Sequence, residues 1–154
     1  MSDAIALDAV DRRILDALQH DARLSYEQLA ERVSLSSSTV LRRVRRLEEA
    51  GVIVGYRAVV APEPLGLSLS AYINVRLEKH GSQQRQSPGD SFRAAVQGWS
   101  EVVGCVALAG EMDYLLQVQV RDMAHFADFI RDTLLRHPAV QDCKTSFVLE
   151  RVKG

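Results

Sequence analysis

The sequence lacks the features that define several large classes of protein. Its 154 residues include two cysteines and four histidines with no metal-ligand spacing, which argues against a disulfide scaffold and a zinc site. No apolar run approaches the roughly 18 residues of a membrane-spanning helix, and Asp and Arg side chains interrupt the first twenty positions. Nineteen basic residues are balanced by 20 acidic residues, which excludes a uniformly basic protein that binds polyanions by bulk charge. We therefore expect a cytosolic protein with reduced thiols, no metal, no cofactor and no membrane contact.

Apolar residues at helical spacing predict three helices within the first 50 residues. Asp8 can cap the first helix, and Ser25 with Gln28 forms a capping box for the second. The third helix is expected to start at Ser36, and Gly51 is expected to end it. The short second helix and the turn of about three residues that follows it are typical of a helix-turn-helix.

The third predicted helix has two chemically different sides. At 100° per residue, valine and leucine side chains fall on one side, and serine and arginine side chains fall on the other. Short hydroxyl side chains at the start of a helix allow close approach to base edges, and arginines bind guanine edges or phosphate oxygens. The predicted DNA-contacting residues are Ser36, Ser37, Ser38, Thr39, Arg42, Arg43, Arg45 and Arg46.

A solvated helix surface is the ordinary alternative for a run of charges. Such a surface usually alternates acids and bases at i, i+4, whereas this segment has no acid before Glu48. The absence of acids therefore favours a DNA-reading face. The residues assigned to base contacts are Ser38, Thr39 and Arg42, and those assigned to phosphate contacts are Arg45 and Arg46.

The second part of the chain predicts two split strand-helix-strand units. Strands are expected at 69–77, 102–108, 114–120 and 140–152, with helices from Asp90 and after Asp122 and an exposed loop at 79–89. This order gives a ferredoxin-like antiparallel sheet with both helices on one face, and a second copy of the chain is expected to cover the other face. Cys105 and Cys143 are expected to be buried as small apolar side chains, and Trp99 is expected to join the core.

The chain is thus expected to be an α+β protein with two domains. A helix-turn-helix (winged-helix-like) DNA-binding domain with a following strand and hinge is predicted at 1–60. A ferredoxin-like βαββαβ domain is predicted at 61–154.

Two separated motifs resemble the Lrp/AsnC (feast/famine) family of transcription regulators. The first runs from Leu35 to Tyr56 and contains the arginine-rich helix, and the second is the segment 110–116, which resembles the hairpin turn of that family's sensing domain. The resemblance covers almost the whole chain. It implies a homodimer, assembling further into tetramers or octamers, that binds double-stranded DNA and an amino-acid effector at an interface between dimers.

The resemblance also places the effector near the turn between two predicted strands. The residues that it implies are Ala109, Gly110, Glu111, Met112, Asp113, Tyr114 and Thr133. Backbone amides around Gly110 can receive a carboxylate, while Glu111 or Asp113 can hold an ammonium group. In the alternative interpretation, the segment is a plain hairpin turn in which Asp113 bonds its own backbone.

The resemblance assigns effector sensing and oligomerisation to residues 61–154. Together with the residue patterns, it implies a sequence-specific transcription regulator whose assembly and DNA binding respond to a small effector, expected to be an amino acid. A dimer would present two recognition helices to major grooves about 34 Å apart, so its operators would be imperfect palindromes. One alternative is a nucleoid organiser that wraps DNA without an effector. Another is a small-molecule enzyme on the ferredoxin-like half, but no nucleophile, phosphate loop or metal set accompanies its acids, and we expect no enzyme.

Overall fold

The computed structural model describes residues 5–78 and 87–153. The chain divides into two compact units, Met1–Val59 and Val60–Gly154. The predicted exposed loop at 79–89 lies outside the described residues except for positions 87–89.

Three helices form the first unit: α1 at Ala9–His20, α2 at Tyr26–Val33 and α3 at Ser37–Glu49. The predicted caps are confirmed, because Asp8 and Ser25 form capping boxes with Asp11 and Gln28. Between α2 and α3 the chain turns at Ser34, which has a left-handed φ of 57°. This turn lets the apolar stripes of all three helices meet in one core. Its fully buried larger members include Ile14, Leu29, Val40, Val44 and Leu47.

Helix α3 ends just before Gly51, as predicted from the sequence. Gly51 has a left-handed φ of 69°, and the backbone N–H groups of Val52 and Ile53 donate to the Leu47 carbonyl at 2.9 and 3.1 Å. The strand predicted after this helix is not found: positions 52 and 53 are bends, and residues 54–61 have no regular secondary structure. A strand needs the backbone of a second strand as its partner, and within residues 5–78 and 87–153 no strand pairs with this segment. A short 3₁₀ turn follows at Glu63–Leu65, within the predicted hinge.

The second unit has the predicted βαββαβ order. Its elements are β1 at Leu69–Leu77, α4 at Pro88–Val96, β2 at Val102–Ala107, β3 at Tyr114–Val120, α5 at Met123–Asp128 and β4 at Val140–Phe147. Helix α5 continues as a π-helical segment at Phe129–Leu134. The four strands form an antiparallel sheet in the order β2-β3-β1-β4, which confirms the ferredoxin-like topology.

Alternation along the two central strands builds the core of this unit. Every second residue of β1 and β3 points to the helical side, where Ile73 and Leu116 have no exposed surface. Phe92 of α4 and Phe129 after α5 pack against this side of the sheet. Full burial of each such side chain contributes about 1.5–3 kcal/mol, so the core fixes which residues face outward.

Two predicted element boundaries differ from the structure by two residues or more, while the start of α3 and the end of β2 each differ by one. Helix α4 begins at Pro88 rather than Asp90, because the Ser87 hydroxyl caps the helix by accepting the Asp90 N–H at 3.1 Å. Strand β4 ends at Phe147 rather than at position 152, and Leu149 is 99% exposed instead of facing the core. A run of alternating residues can therefore extend beyond the last rung that has a partner strand.

Two predictions about single side chains have different outcomes. Trp99 lies beyond the end of α4, yet it packs edge-on against Phe92 at 5.6 Å and Phe129 at 5.9 Å, which confirms its core assignment. The prediction of buried thiols is wrong for Cys105, which is exposed because β2 is an edge strand. Cys143 is partly buried. Among residues 5–78 and 87–153, no helix is both long and apolar enough to cross a membrane.

Candidate functional site

Helix α3 separates its apolar and polar side chains as the helical wheel predicts. Val40, Val44 and Leu47 are at most 2% exposed against helices α1 and α2. On the opposite side, Arg42 and Arg45 are exposed and make no ion pair within the part of the chain that the structure describes. One side of the helix is thus fixed in the core while the other presents guanidinium groups to the solvent.

A cluster of hydroxyl groups lies at the start of α3. The Ser36 hydroxyl accepts the Thr39 N–H at 3.3 Å, and its oxygen lies 2.8 Å from the Thr39 hydroxyl and 3.2 Å from the Ser38 hydroxyl. Each hydroxyl can donate one hydrogen bond and accept two, so capacity remains for a ligand after these local bonds. The N-terminal helix dipole at this point favours an anion.

Two of the four predicted DNA-contacting arginines are held by acids from another helix. The Arg43 Nη1 lies 2.7 Å from Asp8 Oδ2 and 2.8 Å from Asp11 Oδ1. The Arg46 Nη2 lies 2.5 Å from Asp11 Oδ2. The prediction of an acid-free arginine face is therefore corrected, because acids from α1 cover one flank of α3.

Asp11 is the only buried charged residue in the described core, with no exposed surface. One of its oxygens accepts from Arg43, while the other accepts from Arg46 and from the Asp8 backbone N–H. A buried carboxylate is tolerated when cations and hydrogen bonds satisfy it in this way. Hydrogen bonding to the Asp11 N–H, and then to Arg43, holds the pKa of Asp8 below its ordinary value. Asp8 and then Asp11 raise the pKa of Arg43.

These ion pairs divide the arginines of α3 into two classes. Arg43 is 24% exposed and Arg46 is 47% exposed, so both are partly committed to holding α3 on α1. Arg42 and Arg45 have no such partner in the described chain and remain available to a ligand.

The segment at residues 109–113 joins β2 to β3 at one end of the sheet. Asp113 clamps this turn to β1, because its carboxylate accepts the Leu77 N–H at 2.7 Å and its own N–H donates to the Val75 carbonyl at 2.9 Å. The hydrogen bonds of Asp113 thus reach the neighbouring strand as well as its own turn. Its carboxylate has a structural role in the isolated chain.

Glu111 lies on the outer side of the same turn, close to two cationic side chains that were not predicted from the sequence. Its Oε1 lies 2.7 Å from Arg76 Nη2 of β1 and 3.5 Å from Lys144 Nζ of β4. The charge of Lys144, and then that of Arg76, lowers the pKa of Glu111. Arg76 Nη2 also lies 3.7 Å from the Met112 sulfur. The alternation of β1 places Arg76 on the sheet face that lies away from the helices. Lys144 comes close to Arg76 and Glu111 because β4 pairs with β1, which the local sequence does not indicate.

The inner side of the turn borders a cavity of about 340 Å³. Its described lining residues are Leu77, Glu78, Pro88, Gly89, Ala107, Leu108, Asp113 and Tyr114. Two of these described residues are acids, and none of them is a lysine or arginine. The Tyr114 hydroxyl accepts a hydrogen bond from Arg93 at 3.2 Å.

The structure does not bring every implied effector residue to one point. Ala109, Gly110, Glu111, Met112 and Asp113 form the turn itself, and Tyr114 begins the next strand. Thr133 lies in the π-helical segment, and within residues 5–78 and 87–153 no hydrogen bond joins it to the turn. A π-helical segment is often found at functional sites, but periodicity alone cannot reveal one.

Both parts of the chain match models of known families. Residues 7–54 match a winged helix-turn-helix DNA-binding family, and residues 70–154 match the Lrp/AsnC ligand binding domain. The leucine-responsive regulatory protein of Salmonella typhimurium is 42% identical over 149 residues, which cover 96% of this chain and 87% of that protein. The counterpart from Haemophilus influenzae is 40% identical over 148 residues, with the same coverage.

Solved structures share the same architecture. A transcriptional regulator from Neisseria meningitidis in complex with L-Met has a TM-score of 0.89 and 44% identity, covering 97% of this chain and 94% of that one. AsnC from E. coli has a TM-score of 0.81 and 26% identity, with 97% of each chain covered. These matches confirm the expected family and the expectation that the chain is no enzyme. The chain belongs to the Lrp/AsnC family and is an effector-responsive, DNA-binding transcription regulator.

Proposed function

We propose that the exposed side of helix α3 enters the DNA major groove. The observation that carries this proposal is that Arg42 and Arg45 are exposed and unpaired in the described chain, opposite a fully buried valine and leucine stripe. Ser38, Thr39 and Arg42 contact base edges, because they follow the helix start that approaches the groove floor. Arg45 contacts backbone phosphates, and Ser36 and Ser37 supply hydroxyl and backbone donors nearby.

Arg43 and Arg46 have a double role in this proposal. Their ion pairs with Asp8 and Asp11 fix the angle of α3 on α1. Guanidinium groups carry five donors, so N–H groups beyond these pairs remain for phosphate oxygens. Arg46 is better placed to bind a phosphate than Arg43, because its side chain is 47% exposed and that of Arg43 is 24% exposed.

The effector is an amino acid that binds on the outer side of the 109–113 turn. Glu111 receives the ammonium group, while Arg76, Lys144 and backbone amides around Gly110 receive the carboxylate. Asp113 positions the turn, since its carboxylate already accepts the Leu77 N–H. The L-Met complex of the Neisseria meningitidis regulator and the leucine-responsive regulators support an amino acid as the ligand.

The same outer sheet face supports assembly into a homodimer and then into tetramers or octamers. Tyr72 and Val106 are 36% and 55% exposed on strands whose other side forms the core. Arg76 Nε and Asp142 Oδ1 are buried on this face without a hydrogen-bond partner in the described chain. Such unsatisfied atoms cost about 1–3 kcal/mol each, so a partner that supplies polar groups would stabilise this surface.

In the assembled protein, residues 1–60 form the DNA-binding domain and residues 61–154 form the sensing and oligomerisation domain. The protein acts in the cytoplasm on operators that are imperfect palindromes. A bound amino acid favours one assembly over another, and DNA in turn changes the affinity for the amino acid by the same factor.

Genomic fragments captured by the purified protein, with and without pooled amino acids, test this function. We expect fragments that share a palindromic motif, and we expect the captured set or its affinity to change with amino acids. Tight capture with no shared motif, together with calorimetric silence toward every amino acid, would instead identify an effector-independent DNA organiser.

A further inference from the structure

A second charged surface lies in the first unit, between helices α1 and α2. It is an open cleft of about 570 Å³ lined by Arg12, Arg13, Asp16, Ala17, His20 and Arg32. None of these residues belongs to α3, and none is among the predicted DNA contacts. We call this opening the α1–α2 cleft.

Cations outnumber acids in the α1–α2 cleft. Three arginines line it with one carboxylate, that of Asp16, which lies 3.6 Å from His20 Nδ1. Arg12 and Arg32 are exposed and make no ion pair or side-chain hydrogen bond in residues 5–78 and 87–153. Like charges placed together destabilise a surface, so the stability of the fold does not account for this grouping.

Arg13 makes the end of α2 compatible with an anion. Its guanidinium donates to the Arg32 carbonyl in the last turn of α2, where the helix dipole is negative and would otherwise repel an anion. The other N–H groups of Arg13 remain available beside Arg12 and Arg32. Three guanidinium groups around one opening match the oxygens of a phosphate, which arginine binds through paired hydrogen bonds.

We propose that the α1–α2 cleft binds a phosphate group through Arg12, Arg13 and Arg32. Two sources share this chemistry. One is the DNA backbone flanking the groove that α3 enters, in which case the inference rests on the proposed function. The other is a free phosphorylated small molecule, which needs no DNA.

The test compares two variants of the full chain that each lose two cationic side chains. The cleft variant is Arg12→Ala with Arg32→Ala, and the control is Arg23→Ala with Arg136→Ala, two exposed residues outside the cleft. Arg13 is left in place because it holds α2. Alanine is the best helix former, so neither exchange in the cleft should impair folding.

For the backbone source, DNA affinity is measured across a salt series. We expect the slope of log affinity against log salt to flatten by about 1–2 in the cleft variant, since each phosphate contact contributes about 0.9. The control should keep the parental slope. Equal flattening in both variants would show only a bulk charge effect and would overturn the backbone source.

For the free source, pyrophosphate is titrated calorimetrically without DNA. We expect parent and control to bind it and the cleft variant to lose at least tenfold in affinity. Unchanged results for the cleft variant in both arms would overturn the proposal. Because the pyrophosphate arm involves neither DNA nor α3, its outcome is independent of the proposed groove contacts.

Discussion

The carboxylate of Asp11 in α1 lies 2.8 Å from the guanidinium of Arg43 in α3. Asp11 has no exposed surface and also belongs to the capping box of its own helix. One side chain therefore joins the start of α1 to the helix proposed to contact DNA. The orientation of α3 depends on this link.

Replacing Asp11 should destabilise the first unit. Asp11→Ala leaves two guanidinium groups without their buried partner and removes half of a capping box. We expect the free energy of unfolding to fall by about 2–4 kcal/mol, a range reduced from that of fully buried pairs because both arginines are partly exposed. Urea unfolding followed by circular dichroism measures this. Glu31→Ala, an exposed position on α2, is the control and should change stability by less than about 0.5 kcal/mol.

Acid should weaken the second ion pair between the start of α1 and α3, that of Asp8 with Arg43. The pKa of Asp8 is lower in the folded chain than its ordinary value of 3.8. Its contribution to stability is therefore present above pH 3.8 and is lost as pH falls through the lower folded value. Asp8→Asn keeps a capping side chain but cannot titrate, so its stability should depend less on pH in this window. Unfolding curves between about pH 2 and 6 measure the difference, and identical acid dependence would contradict the assignment.

Arg42 and Arg45 should affect DNA binding differently. Arg42→Ala is expected to cost about 1–3 kcal/mol on the preferred operator and little on other duplexes, so sequence preference relaxes. Arg45→Ala should weaken binding to all duplexes alike and reduce the salt slope by about 1. Anisotropy titrations with a panel of duplexes measure both effects. Equal losses on every duplex for Arg42→Ala would show that it reads no base.

Arg46 requires a revised expectation because Asp11 pairs with it. Arg46→Ala should lower the thermal midpoint as well as DNA affinity, whereas Arg45→Ala should lower affinity alone. Melting curves recorded beside the DNA titrations separate these effects. An unchanged midpoint for Arg46→Ala would contradict the structural half of its double role.

Glu111 should control effector binding without affecting DNA binding in the absence of effector. Glu111→Gln removes the charge proposed to hold an ammonium group, and we expect at least a tenfold weaker affinity for the amino acid that binds the parent. Glu150→Gln is a matched exposed control. Calorimetry measures the affinity, and full retention by Glu111→Gln would place the ammonium elsewhere.

Features that depend on local sequence could be predicted. The start of α3 near Ser36 and the burial of Val40, Val44 and Leu47 follow from spacing within one helix, and the positions of the strands along the chain follow from runs of apolar and alternating residues. The π-helical segment could not be predicted, because its apolar residues also fit an α-helical period over so short a stretch.

Features that depend on distant pairing could not be predicted. Asp11 and Arg43 are 32 positions apart on different helices, so a search for acids near the arginines misses the pair. Glu111 meets Lys144 only because β4 is placed beside β1 at the end of the sheet that carries the turn. Cys105 is exposed because its strand is at the edge, which no property of its neighbours in sequence indicates.

The most direct test of the central claim is the DNA affinity of the double variant Arg42→Ala with Arg45→Ala. The control is Arg121→Ala with Arg136→Ala, two exposed arginines of the second unit, at equal net charge. If α3 enters the major groove, the first variant should lose about 100-fold or more in operator affinity at an unchanged thermal midpoint, while the control binds as the parent does. Parental affinity in the first variant would contradict the account.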